Sequence, residues 1–261
     1  MGNKRIRGIA LPIATMLVLT GVWQAVCMLF EIEIYTLPAP SDIAAKMYQD
    51  SGGLWEHARA TFGLALAGLA LGTVIGIVVA IVLHLVPLLR EAFAPLLVLS
   101  QNVPLIALGP LLMIWFGFGL TPKMILLVLV CFFPVALSVL VGLGQGEPHL
   151  REYLGMIGAT RWERLKRLEF PAALSYLFSG LRIAATYVVS SAIVAEWLGA
   201  NKGIGYYLKL KFNGFEQSAV FGSIVCIVAL SFMFYYAVVV LERLVMRWRP
   251  RSEDNWKGAS S

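Results

Sequence analysis

"EYLGMIGATRWERLKRLEFPAAL" (residues 152–174) interrupts a chain otherwise built for lipid. It holds three acidic and four basic residues, a fifth base (Arg151) precedes it, and long apolar runs flank it on both sides. The whole chain has 261 residues, 59% of them hydrophobic and 14% charged. Soluble domains carry about 25% charged residues. Apolar runs of about 20 residues span a bilayer core as helices, so the sequence predicts an all-α polytopic membrane protein. The stretch is then a charged loop between spans, and its charges keep it out of lipid.

Working outward, six spans fit: 8–30, 59–86, 93–118, 121–143, 172–199 and 218–245. The first has a basic start like a signal peptide. Its apolar part is too long for one, and no small-x-small cleavage site follows, so an uncleaved span is expected. Pro12 is expected near that helix's start, where a missing N–H is tolerated. The third is interrupted by Pro95, Pro104 and Pro110, and broken backbone at membrane depth needs protein or a water-filled cavity around it. It is therefore expected inside the bundle. With both termini cytoplasmic, 14 Lys and Arg fall inside, including the five of residues 151–171, against 6 outside, the positive-inside bias. The loop is then cytoplasmic. An acidic outer segment, 31–58, is expected to carry a short amphipathic helix after "LPAPSD". Gly68, Gly72 and Gly76 form two GxxxG steps in the second span, which predict close packing against another helix of the chain, with a dimer seam also open.

Within the loop, Pro148 suits a helix's first turn, and Leu150, Leu154 and Ile157 share one face. Gly158 frees the backbone to stop that helix. Thr160 and Glu163 form a T-x-x-E capping box that starts a second helix. There Trp162, Leu165 and Leu168 form an apolar stripe, and Arg161, Arg164 and Arg167 recur on another side. Pro171 is expected to end this helix and begin the fifth span. A basic amphipathic helix on the membrane surface is the plainer alternative.

The spacing E-Y-L-x3-G-x9-L-x-F-P resembles the "EAA" loop of ATP-binding-cassette (ABC) importer permeases of type I, E-A-A-x3-G-x9-I-x-L-P. Glu152, Gly158 and Pro171 match, while Tyr153 and Leu154 replace the alanines and Leu168 and Phe170 the two apolar residues. The segments "SQNVPLIALGPLLMIWFGFGLTPKMILLVLVCFFPV" and "SGLRIAATYVVSSAIVAEWLGANKGIGYYL" look like the branch serving sulfonates, taurine, nitrate and pyrimidine precursors of thiamine, with riboflavin importers nearby. The resemblance covers roughly residues 37–245. It implies one transmembrane permease domain over 1–261, with a core at 59–245, an N-terminal span at 8–30 and a coupling loop at 147–171. It implies a bacterial cytoplasmic membrane protein that is not itself an enzyme. Two ATPase subunits, which bind ATP and magnesium, would dock on the loops of two permease copies, a homodimer. An external binding protein would deliver a small solute, a thiamine-precursor pyrimidine first among candidates. Coupling would fall to Glu152, Gly158, Thr160, Trp162, Glu163, Leu165, Leu168 and Pro171.

Ser100, Gln101 and Asn102 in the third span, and Tyr187, Ser190, Ser191 and Glu196 in the fifth, are candidates for a solute path, because polar groups at membrane depth need partners. Interhelical hydrogen bonding explains the first three equally well. Glu196 is expected to pair with Lys202. Arg182 either snorkels inward or pairs with a loop carboxylate. "GANKGIGYY" (199–207) is expected to be an outer loop with tight turns, since no phosphate-binding context surrounds it. Cys27, Cys131 and Cys226 are dispersed in apolar runs, and His57, His84 and His149 stand apart, so no disulfide or metal site is expected. The net charge of +6 lies at the termini and in the loop, which argues against nucleic acid. An ion-driven secondary transporter would need paired intramembrane carboxylates and an inverted repeat, and neither is found. A scaffold without transport leaves the third span's prolines and polar residues unexplained.

Overall fold

The computed structural model describes residues 2–100 and 103–247, with side chains excluded for 2–9, 105 and 106. The described residues are helical and contain no strand. In order they form α1 (Gly2–Leu29), α2 (Pro40–Gln49), α3 (Ser51–Leu85), α4 (Pro87–Ser100), α5 (Leu105–Phe116) and α6 (Leu120–Leu143). The charged loop contributes α7 (Pro148–Met156), α8 (Arg161–Arg164) and a π turn (Leu165–Glu169). The chain ends in α9 (Phe170–Trp197), α10 (Ile204–Asn213) and α11 (Gln217–Val245). The contacts divide into two compact units. One comprises Met1–Ala65, Gly109–Lys123 and Val189–Leu230; the other comprises Leu66–Leu108, Met124–Val188 and Ser231–Ser261.

Five helices are long and apolar enough to cross a membrane: Ala10–Leu29, Ser51–Leu85, Leu120–Leu143, Arg161–Trp197 and Gln217–Val245. They correspond to five of the six expected spans. The third is instead two helices, α4 and α5, parted before Pro104, whereas Pro95 and Pro110 lie inside them. A membrane helix loses more by unwinding than by forgoing the one bond a proline removes. Pro12 is likewise well inside α1, not in its first turn. Nor is the third span enclosed by the rest of the chain. Leu97 and Leu112 are its only buried large apolar side chains among those described, while Ile114 and Trp115 are 77% and 66% exposed.

The second unit is assembled through glycines. A Cβ on Gly68 of α3 would stand 2.5 Å from Leu127 Cβ, one on Gly72 2.6 Å from Cys131 Cβ, and one on Gly76 3.0 Å from Val135 Cγ1. The GxxxG face is thus occupied by α6 of the same chain, and bare glycines let the two backbones approach. Further along α6 the device recurs against α9. A Cβ on Gly142 would meet Tyr176 Cβ at 2.7 Å, and one on Gly180 would meet the Pro134 carbonyl at 2.7 Å.

Arg182 is neither paired with the loop nor turned toward water. It binds Glu242 of α11, and its Nη2 donates to Ser179 Oγ at 3.4 Å. The two side chains are 29% and 24% exposed. Arg182→Leu leaves a half-buried carboxylate alone and is expected to cost about 2 kcal/mol. The R182L/E242L double variant removes both charges and is expected to recover most of that loss. Thermal unfolding of the detergent-solubilised protein measures both.

Candidate functional site

The charged loop folds as its local chemistry dictates. Pro148 opens α7 at its first position. Two crossed bonds close it: Ala159 N–H donates to the Leu154 carbonyl at 2.9 Å and Gly158 N–H to the Gly155 carbonyl at 3.1 Å. This is a Schellman motif, which needs a left-handed residue at the position Gly158 holds, and Gly158 has φ +78°. The capping box then starts α8. Thr160 N–H donates to Glu163 Oε2 at 2.8 Å, and Glu163 N–H donates to Thr160 Oγ1 at 3.3 Å. Of the apolar stripe, Leu165 is buried, Leu168 is half-buried and Trp162 is 61% exposed. Glu152 is exposed, as are Tyr153, Met156 and Ile157. The loop therefore presents charge and large apolar side chains together on an uncovered surface.

Pro171 does not end a helix. The chain runs helically from Arg161 through to Trp197, with a π turn at Leu165–Glu169 in which Phe170 N–H bonds to the Leu165 carbonyl. The wider turn accommodates a residue whose ring would crowd the preceding carbonyls and whose N–H is missing. In consequence α8 and the span α9 are one continuous rod. At its root, buried Glu169 accepts a hydrogen bond from His84 Nε2, 2.8 Å from Oε2, and its Oε1 lies 3.4 Å from Arg151 Nε. Arg161 Nη1 donates to the Leu85 carbonyl at 3.4 Å. These contacts clasp the loop to the end of α3. No local pattern signals them, because His84 and Glu169 are 85 positions apart.

Of the candidate path residues, Ser100 caps its own helix, donating to the Leu97 carbonyl at 2.9 Å. Gln101 and Asn102 lie outside the described residues. Tyr187 and Ser190 are exposed on α9, and Ser191 is half-buried.

Glu196 is 3% exposed and does not pair with Lys202. Lys202 Nζ donates to Glu56 Oε1 at 2.8 Å instead. Glu196 accepts from Thr61 Oγ1 and from Gly205 N–H, both at 2.8 Å, while Ile204 N–H donates to Thr61 Oγ1 at 2.8 Å. Gly203 N–H donates to His57 Nδ1 at 3.1 Å. Three successive amides at the start of α10, orphans of any helix beginning, are thus satisfied by side chains of α3 and α9. Glu196 is the carboxylate that locks "GANKGIGYYL" in place, and Gly199 and Gly203, with φ +142° and +117°, supply its tight turns.

Beyond this latch, α2 and α10 are tied by ions. Tyr207 Oη donates to Asp50 Oδ2 at 2.5 Å, and Glu216 pairs with Lys211 and Lys46 at 2.8 and 2.6 Å. Hydrogen bonds from Lys211 and then Lys46 hold the Glu216 carboxyl below the usual range, and the same bond raises Lys211. The Glu216 contribution is present above its ordinary pKa of about 4.3 and lost as pH falls through the lowered value. That of Lys211 is present below about 10.4 and lost as pH rises past the raised one. Amide hydrogen exchange over residues 210–220 is expected to accelerate at both extremes, relative to α6.

The sequence profile described as "Binding-protein-dependent transport system inner membrane component" matches residues 72–247. The formylaminopyrimidine transport permease protein ThiX of Halalkalibacterium halodurans is 33% identical over 241 residues, 92% of this chain and 96% of that protein. The riboflavin transport system permease protein RibX of Chloroflexus aurantiacus is 32% identical over 242 residues, 92% of this chain and 90% of that protein. The taurine transport system permease protein TauC of Escherichia coli is 30% identical, over 93% and 90%. Among solved structures, the inward-facing MetNI methionine ABC transporter superposes with a TM-score of 0.65 at 21% identity, covering 78% of this chain and 99% of that one. At that identity the likeness speaks for the fold. The chain belongs to the binding-protein-dependent transport system inner membrane component family and is a permease subunit of an ABC importer for a small solute.

Proposed function

We propose that this permease imports a pyrimidine precursor of thiamine, handed over by a binding protein and driven by a separate ATPase that docks on the 147–171 loop. The loop's geometry carries the docking reading. A Schellman turn and a capping box fix its fold, exposed Tyr153, Met156, Ile157 and Trp162 offer contact, and α8 continues into α9 without a break. Large exposed apolar groups on a charged element mark a protein contact. A push on the loop then travels along one rod into the membrane.

In this reading both termini and the loop face the cytoplasm, as the basic residues favour. ATP and magnesium belong to the ATPase, and this chain performs no catalysis. Two copies form the transporter, which supplies a cover for the open faces of α4 and α5. Closure of two ATPases brings the two loops together and opens the path outward. Ser100, Gln101, Asn102, Tyr187, Ser190 and Ser191 are the proposed path residues, and Glu196 shapes its outer end.

The pyrimidine assignment rests on the similarity to ThiX, and riboflavin is a second reading because RibX is similar to nearly the same degree. Mass spectrometry of the small molecule retained by the co-purified binding protein tests both. A pyrimidine is expected, riboflavin would select the second reading, and a sulfonate, taurine or nitrate would overturn both.

A further inference from the structure

We propose that the hollow between the end of α3 and the root of the charged loop binds a phosphate group, that of an anionic phospholipid headgroup. The cavity measures about 170 Å³ and is lined by His84, Pro87, Arg151, Arg161, Arg164 and Glu169. A single water needs only about 15 Å³, so a phosphodiester group fits.

The charges of the walls do not balance. Three guanidiniums face one carboxylate, and Glu169 is already engaged by His84 and Arg151. Among the described residues no carboxylate lies within ion-pair distance of Arg161 or Arg164. Arg151 Nη2 is buried without a hydrogen-bond partner, while Nε faces only the Glu169 carboxylate at 3.4 Å. Buried donors rarely stay unmet, and an acceptor-only anion is what several arginine forks suit best. Arg161 is held at the wall by its bond to the Leu85 carbonyl.

Position identifies the source of the phosphate. His84 and Leu85 are the last residues of a 35-residue apolar helix, the level at which lipid headgroups lie. Beside them, Val86 and Leu88 are 41% and 76% exposed, placed to meet acyl chains. A free anion has no use for that apolar rim. None of the exposed apolar residues offered to the ATPase, Tyr153, Met156, Ile157 and Trp162, lines this cavity. Only the choice of leaflet rests on the proposed orientation; the site itself does not.

The test uses the full-length permease purified without its ATPase, titrated with phosphatidylglycerol or phosphatidylcholine, and read by native mass spectrometry of the lipid adducts. Phosphatidylglycerol is expected to be retained at least tenfold better, and R161Q/R164Q to weaken it roughly 30-fold, about one factor of five per basic group. R161K/R164K keeps both charges and is expected to retain most of the binding, which separates lost charge from lost folding. Millimolar inorganic phosphate is expected not to displace the lipid. Unchanged phosphatidylglycerol binding in R161Q/R164Q would overturn the site. Displacement by inorganic phosphate would assign it to free phosphate instead. Equal binding of the two lipids, with ATPase co-purification lost in R161Q/R164Q, would assign it to an acidic side chain of the ATPase. Because the lipid measurement omits the ATPase, its failure leaves the docking reading untouched.

Discussion

Gly158→Val is expected to abolish both ATP-dependent uptake and co-purification of the ATPase, while the protein still inserts and elutes as a folded species. Nothing lies within 4 Å of a Cβ placed there, so the effect is one of backbone conformation. At φ +78° an L-residue is strained by about 1–2 kcal/mol, and β-branching adds to this. A cost of about 2 kcal/mol lowers the ratio of native to opened turn roughly 30-fold. When the turn opens, α7 leaves its place relative to the capped start of α8, and the contact surface is lost. Asparagine tolerates the left-handed region, so Gly158→Asn is expected to keep most of the activity. If the valine variant retained uptake and ATPase together, the docking assignment would be wrong.

The second large effect lies at the opposite end of α9. Gly203→Ala drives a methyl group into the Glu196 carboxyl, and φ +117° is a conformation an L-residue rarely adopts. Overpacking and strain act together, so a loss of about 3 kcal/mol or more is expected. The thermal midpoint of the solubilised protein should fall by several degrees, with uptake falling in parallel. Glu196→Gln keeps the shape and one acceptor oxygen for two donors, and should cost only about 1–2 kcal/mol. Glu196→Ala in the Gly203→Ala background removes the clash, so the double variant is expected to be less damaged than the two losses added together. Simple additivity would mean that the carboxyl and the glycine do not share one site.

Five of the spans, the short helix of the outer segment (though it begins at Pro40, inside "LPAPSD", and not after it), the capping box and the stop at Gly158 were all readable from residue spacing. Each depends on neighbours within a few positions, where hydropathy and backbone preference act directly. The GxxxG steps pointed correctly to a close helix contact within the chain, though not to α6 as the partner. Pro171 misled because its local rule, helix end, was overridden by the π turn just before it. Pro95 and Pro110 misled for a related reason: in lipid an unwound backbone has no water to bond.

Sequence by itself determined that this is a helical membrane protein with a charged, capped, protruding loop. Those features follow from composition and short-range geometry, which the chain carries wherever it folds. Only the tertiary structure decided which polar groups answer one another: Glu169 with His84, Glu196 with Thr61, Arg182 with Glu242, at separations of 85, 135 and 60 residues. Inside a membrane protein each such group must find a partner. Several candidates satisfy that demand in the sequence, and only packing brings one of them within hydrogen-bond reach.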